Sequence, residues 1–194
     1  SAWCWAATAR MFAKYYANGV TRTQAQAVTS IHGSDIDFPG GFDEVESAIK
    51  YYVANTDNSS LSIDYLEFNI LSENGIRKCI DDGNIILLKN GLYSDINHDL
   101  AYGGHFTILY GYCKMGDRYW YLVRDPAQSF SPNISARMLS YNTLVHGQLV
   151  DENTWQYENT DVSITATNPN PTAYYYAWET AIVSTANYHN YSVQ

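Results

Sequence analysis

The spacing of apolar residues changes partway along the chain, and this change limits the fold more than any other feature. Up to about residue 60 the spacing is three and four. Trp5, Thr8, Met11, Phe12 and Tyr15 form one stripe of a helix over about residues 3–17, stopped by Asn18-Gly19. A shorter helix through 24–28, capped by Thr21 or Thr23, ends near His32-Gly33. After a turn-rich stretch from Gly33 to Gly41 comes a third helix. Asp43 and Glu44 suit its first turn, and Phe42, Val45, Ile49, Tyr52 and Val53 carry its apolar face.

Past the polar loop 55–60, alternation takes over. Residues 62–68 read as a short strand and 84–89 as a buried one. Between them Ser72 opens one more helix, with Ile76, Cys79 and Ile80 inward and Asp82-Gly83 as its stop. Gly91 to Gly104 reads as a polar loop carrying His98 and Asp99. Residues 105–112 and 118–124 form an antiparallel hairpin turning at Met115-Gly116-Asp117, and Asp125-Pro126 ends its second arm. Residues 131–149 are ambiguous, with helical spacing at Met138, Tyr141 and Val145, while 162–167 and 174–184 read as strands. Helices followed by antiparallel strands predict an α+β fold. At 194 residues it is one domain, helical over about 1–60 and β-rich over about 61–194.

A net charge of −9 argues against nucleic-acid partners and anionic membranes, both of which need basic patches. No run approaches the length of a membrane span. Paired CxxC, HExxH and glycine-rich phosphate-loop motifs are all missing, so neither a metal nor a cofactor is expected. His98 with Asp99 falls short of a ligand set. Of the three cysteines, Cys79 and Cys113 lie in apolar patterns and are expected to be reduced core residues, leaving Cys4.

Cys4 stands between Trp3 and Trp5 at the start of the first helix. Unpaired N–H groups and the positive end of the helix dipole favour its thiolate there, and the thiolate is the nucleophile. A nucleophilic cysteine needs a base, and the base needs an orienting group. Of the five histidines, His105 is the one that follows two glycines, Gly103-Gly104, at the mouth of a strong strand. The glycines allow close approach of backbone and substrate. Asp125 ends the next strand, and an antiparallel hairpin makes the start of one arm neighbour to the end of the other. A carboxylate there can accept the imidazole N–H and set its tautomer. Taken singly, each residue has a plain alternative: a buried cysteine, a strand-end histidine and a turn aspartate. Together they fit a nucleophile, a base and an orienter.

Trp3-Cys4-Trp5-Ala6-Ala7 on a helix, Gly104-His105 opening a strand, and Asp125-Pro126 after the following strand resemble bacterial papain-like cysteine peptidases. The branch they are most similar to is the C39-like and AvrRpt2-like one. The resemblance covers the order of elements to about Ala127. It implies a two-lobed fold with the active site in a cleft between a helical and a β-rich lobe. It also implies hydrolysis of a peptide or protein substrate through a Cys4 acyl-enzyme, with His105 as base then acid and Asp125 as orienter. Trp3, Trp5, Gly103 and Gly104 become candidates for the walls of the cleft, although the two tryptophans suit interior packing as well.

In that superfamily a glutamine shortly before the nucleophile donates to the oxyanion. Gln24, Gln26, Gln128 and Gln148 do not occupy the matching position. The expectation is therefore a mature form, processed before Ser1, whose cleaved upstream propeptide segment stays associated and supplies the glutamine. A secreted or exported bacterial protein, rich in Tyr, Asn, Thr and Ser and poor in Lys, is expected. Two other functions fit the same residues. One is a different Cys-His acyl-transfer enzyme (a cell-wall peptide hydrolase, a transglutaminase-like enzyme or a peptide ligase). The other is an impaired homologue that only binds.

Overall fold

The computed structural model describes residues 3–66, 70–93, 101–126, 136–146, 148–151, 154–155, 164–165 and 173–184. It is an α+β chain, with helices α1 (Cys4–Tyr16), α2 (Gln24–His32), α3 (Phe42–Val53), α4 (Glu73–Asp81) and α5 (Tyr141–His146). The strands are β1 (Ile63–Leu66), β2 (Ile86–Tyr93), β3 (Ala101–Met115), β4 (Arg118–Arg124), β5 (Ala136–Ser140), β6 (Gln148–Asp151), β7 (Thr154–Trp155), β8 (Ile164–Thr165) and β9 (Ala173–Ser184).

The helix boundaries follow local chemistry. Thr23 and Gln26 form a reciprocal capping box at the start of α2, and Gly33 closes that helix at φ 78°. Ser72 accepts from the Gly75 N–H to open α4. All strand pairings are antiparallel, in the order β5-β4-β3-β2-β9-β6-β7-β8, with β1 also paired to β9. The late strand β9 lies inside the sheet, with Leu87 opposite Ile182 on one edge and Ile63 opposite Ser184 on the other.

Successive β2 residues face opposite sides of the sheet, and this divides the interior in two. Leu87 joins Trp5, Phe12, Val45, Ile49 and Tyr52 in a cluster beneath α1, α2 and α3. Ile86 and Leu88 join Leu71, Ile76, Cys79 and Leu144 in a second cluster beneath α4 and α5. Helix α1 is anchored in both directions. Tyr52 on α3 donates to the Ala6 carbonyl at 3.1 Å, and Thr8 donates to the Phe106 carbonyl on β3 at 3.0 Å.

Three sequence expectations change. The stretch from Gly91 to Gly104 is not all loop: β2 runs on to Tyr93 and β3 begins at Ala101, with Gly91 opposite Gly104. Glycine carries no strand signal of its own, so the pairing came from the partner strands. His105 consequently sits within β3, opposite Asn90, rather than at its mouth. The helical spacing at Met138, Tyr141 and Val145 spans two elements, since Met138 pairs with Leu122 in β5 while Tyr141 begins α5. His98, Asp99 and Gln128 lie outside the described residues, and so do parts of 62–68 and 162–167. No disulfide joins Cys79 and Cys113.

Candidate active site

Cys4 is the first residue of α1, preceded by Trp3, whose side chain makes no cap, and the first turn carries no acidic residue. The positive end of this helix therefore has no carboxylate to meet it, and the Cys4 sulfur stands there instead. Its partners are the His105 ring and the backbone N–H groups of Phe106 and Trp5. Burial pushes the Cys4 thiol up, but hydrogen bonding and charge from His105, with those two N–H groups, outweigh it and hold the thiol below its ordinary range.

His105 brings β3 to α1. Its Nε2 lies 2.6 Å from Asp125 Oδ1, so Nδ1 is left to face the thiol. Burial alone would lower the His105 pKa. The hydrogen bonds and charges of Asp125 and Cys4 overcome this and raise it from 6.5 to about 9. The lowered thiol and the raised imidazole both favour the thiolate–imidazolium form of the pair. Asp125 is 5 % exposed and follows directly on β4, one residue beyond the Ile108–Arg124 pairing.

Three supports were not anticipated from sequence. Arg137 on β5 donates through Nη2 to Asp125 Oδ2 at 2.5 Å. Its position follows from β4–β5 pairing, which sets Arg137 opposite Val123. Thr8, counted above only as part of an apolar stripe, is fully buried. It ties α1 to the carbonyl of Phe106, the residue after the histidine. Asn90, also buried, donates to the Thr107 hydroxyl at 3.0 Å and to the His105 carbonyl at 3.4 Å.

The residues considered for the cleft walls have separate places. Trp5 has no exposed surface; its indole N–H donates to the Phe38 carbonyl at 3.0 Å. Trp3 is half-buried and donates to the Ile36 carbonyl at 2.9 Å. The two tryptophans that flank the cysteine thus hold the segment from Gly33 to Gly41 as a strap, with Ile36 and Phe38 about half exposed on it. A Cβ on Gly40 would stand 2.6 Å from Trp5 Cγ, so the strap lies directly on the indole. Gly104 is exposed, with Lys89 Cε 3.2 Å from where its Cβ would stand, and Gly103 lies opposite Leu92. Gln26 is taken up in the α2 cap, and its Oε1 accepts from the Thr23 N–H at 2.8 Å.

Among the described residues no group of three His, Cys, Asp or Glu side chains could hold a metal ion, and no helix is long and apolar enough to cross a membrane. No family model matches the chain, and no curated protein matches it.

Proposed function

We propose that this protein is a papain-like cysteine peptidase that cleaves peptide bonds through a thioacyl-enzyme on Cys4. The observation that carries the proposal is the hydrogen-bonded chain from the Cys4 sulfur through His105 to the buried Asp125 carboxylate. The Cys4 thiolate attacks the scissile carbonyl carbon, and the C–N bond breaks as the imidazolium gives its proton to the leaving amine. Neutral His105 then takes a proton from water, which attacks the thioester and releases the acid. Asp125 keeps the ring oriented and stabilises its charged form. The backbone N–H of Cys4, in the first turn of α1, has no intrahelical acceptor and is a donor for the oxyanion. The two-lobed arrangement and export belong to the same proposal.

The test is labelling by a peptidyl epoxide, read by mass spectrometry, followed by product analysis. Peptide libraries, muropeptides and amine acceptors are offered in parallel. Labelling at Cys4 with hydrolysed peptides is the expected result. Muropeptide cleavage or amine transfer alone would reassign the reaction while keeping the nucleophile. A folded protein whose Cys4 takes no label would end the enzyme proposal.

A further inference from the structure

We propose that Arg137 is a positioning residue of this site, acting on His105 and Cys4 through Asp125. The Asp125 carboxylate is 7 % exposed at its side chain and divides its two oxygens. Oδ1 meets His105 Nε2 at 2.6 Å and Oδ2 accepts from Arg137 Nη2 at 2.5 Å. The arginine is itself only 12 % exposed, and it reaches Asp125 from the neighbouring strand β5. A carboxylate held at one oxygen can swing about its Cβ–Cγ bond; held at both, it presents Oδ1 in one direction.

Arg137 also completes the charge balance. Thiolate, imidazolium, carboxylate and guanidinium form one connected chain, with two negative and two positive groups. Without the guanidinium, a largely buried site would carry one uncompensated negative charge. That charge favours protons on both reacting groups. Loss of Arg137 therefore raises the pH at which the Cys4 thiol ionises and the pH at which the imidazolium gives up its proton. Other charged side chains on elements packed around the site include Arg10 on α1, turned to the Arg22 carbonyl; Asp43 and Glu44 in the first turn of α3; Lys89 on β2, which crosses Gly104; and Arg124, exposed at the end of β4. Substitution of Arg137 leaves all of them in place.

The proposal rests on the Cys4–His105 pair of the peptidase reading, and the experiment separates the two. The rate of Cys4 alkylation by iodoacetamide is measured against pH by peptide mass spectrometry, without any substrate. Wild type should show two steps, one for formation of the ion pair and one for deprotonation of the imidazolium. In Arg137→Gln both steps should move upward, by about one pH unit for loss of a nearby buried charge. Arg137→Lys keeps the charge and should leave both steps near wild type. Steps that stay at wild-type pH in folded R137Q, or that move equally in R137Q and R137K, overturn the positioning role. A single ordinary thiol step in wild type overturns the ion pair instead. If R137Q does not fold, Asp125→Asn combined with R137Q removes both charges and is compared with D125N alone. Both steps should again lie higher in the double variant than in D125N alone, because the guanidinium charge is lost in either background, and matching profiles overturn the role of Arg137.

Discussion

Replacing Thr8 with valine removes one oxygen and almost no volume, from a residue with no exposed surface. The hydroxyl is the donor to the Phe106 carbonyl at 3.0 Å, across a sequence separation of 98 residues. Thr8→Val leaves that carbonyl buried without this donor, which costs about 1–3 kcal/mol. With a urea dependence of about 2 kcal/mol per molar, the denaturation midpoint should fall by about 1 M. Thr8→Ser keeps the oxygen and drops a methyl, so it should recover most of the loss. The Phe106 N–H also donates to the Cys4 sulfur, so the same residue is held at its N–H and at its carbonyl by α1. Freed at its carbonyl, it should hold the sulfur less firmly, and Cys4 alkylation at neutral pH should slow in T8V but not in T8S. A T8V midpoint within about 0.25 M of wild type, or a T8S as weak as T8V, would refute the hydrogen bond as the link between helix and strand.

Cys4→Ala should abolish turnover while leaving the melting transition in place, and His105→Ala should cost nearly as much, because groups that act as a unit fail together. Asp125→Asn should cost less in kcat than either. Steady-state kinetics on one peptide decides the ranking, and equal losses would mean that Asp125 does more than orient. In Cys4→Ala only the histidine remains, still raised by Asp125. The native state then binds more protons than the unfolded one just above pH 6.5, and stability should fall as pH rises through that range, over a shorter span than with Cys4 present. Urea midpoints at pH 6.5 and 8.5 test this, and a rising midpoint in C4A would reverse the sign. Gly40→Ala drives a methyl to 2.6 Å from Trp5 Cγ and should cost about 1–3 kcal/mol. Gly41→Ala meets only Glu44 Oε2, at 3.4 Å, and should cost clearly less by the same urea assay.

What could be read in advance was what local chemistry decides. The stop at Asn18-Gly19, the Ser72 cap and the Asp82-Gly83 stop each act within a turn or two of the chain, and each stands where the residues put it. Cys4, His105 and Asp125 were legible because a helix start, a strand and a hairpin each show themselves locally. A hairpin also brings its own ends together. Arg137 was not legible. Its run has mixed spacing, and its meeting with Asp125 depends on β5 pairing with β4, which no short window of sequence encodes. The hydroxyl of Thr8 was hidden in the same way, since a threonine in a helical stripe does not announce a partner on a distant strand. Trp3 and Trp5 stood out as aromatics beside a candidate nucleophile, but their indole N–H groups turn to carbonyls 33 residues onward.

The place of β9 has a consequence for how the site comes into being during synthesis. Strand β2, which carries Asn90 behind the histidine, borders β3 on one edge and β9 on the other. Its pairing of Leu87 with Ile182 spans nearly half the chain, and closures of that range are slow to form. A ribosome that has delivered Cys4, His105 and Asp125 has thus made the three groups of the candidate site but only part of the sheet that holds them. The sheet behind Cys4 is complete only once residues 173–184 have emerged. A chain of this topology keeps β2 unpaired along one edge until that late strand has been made.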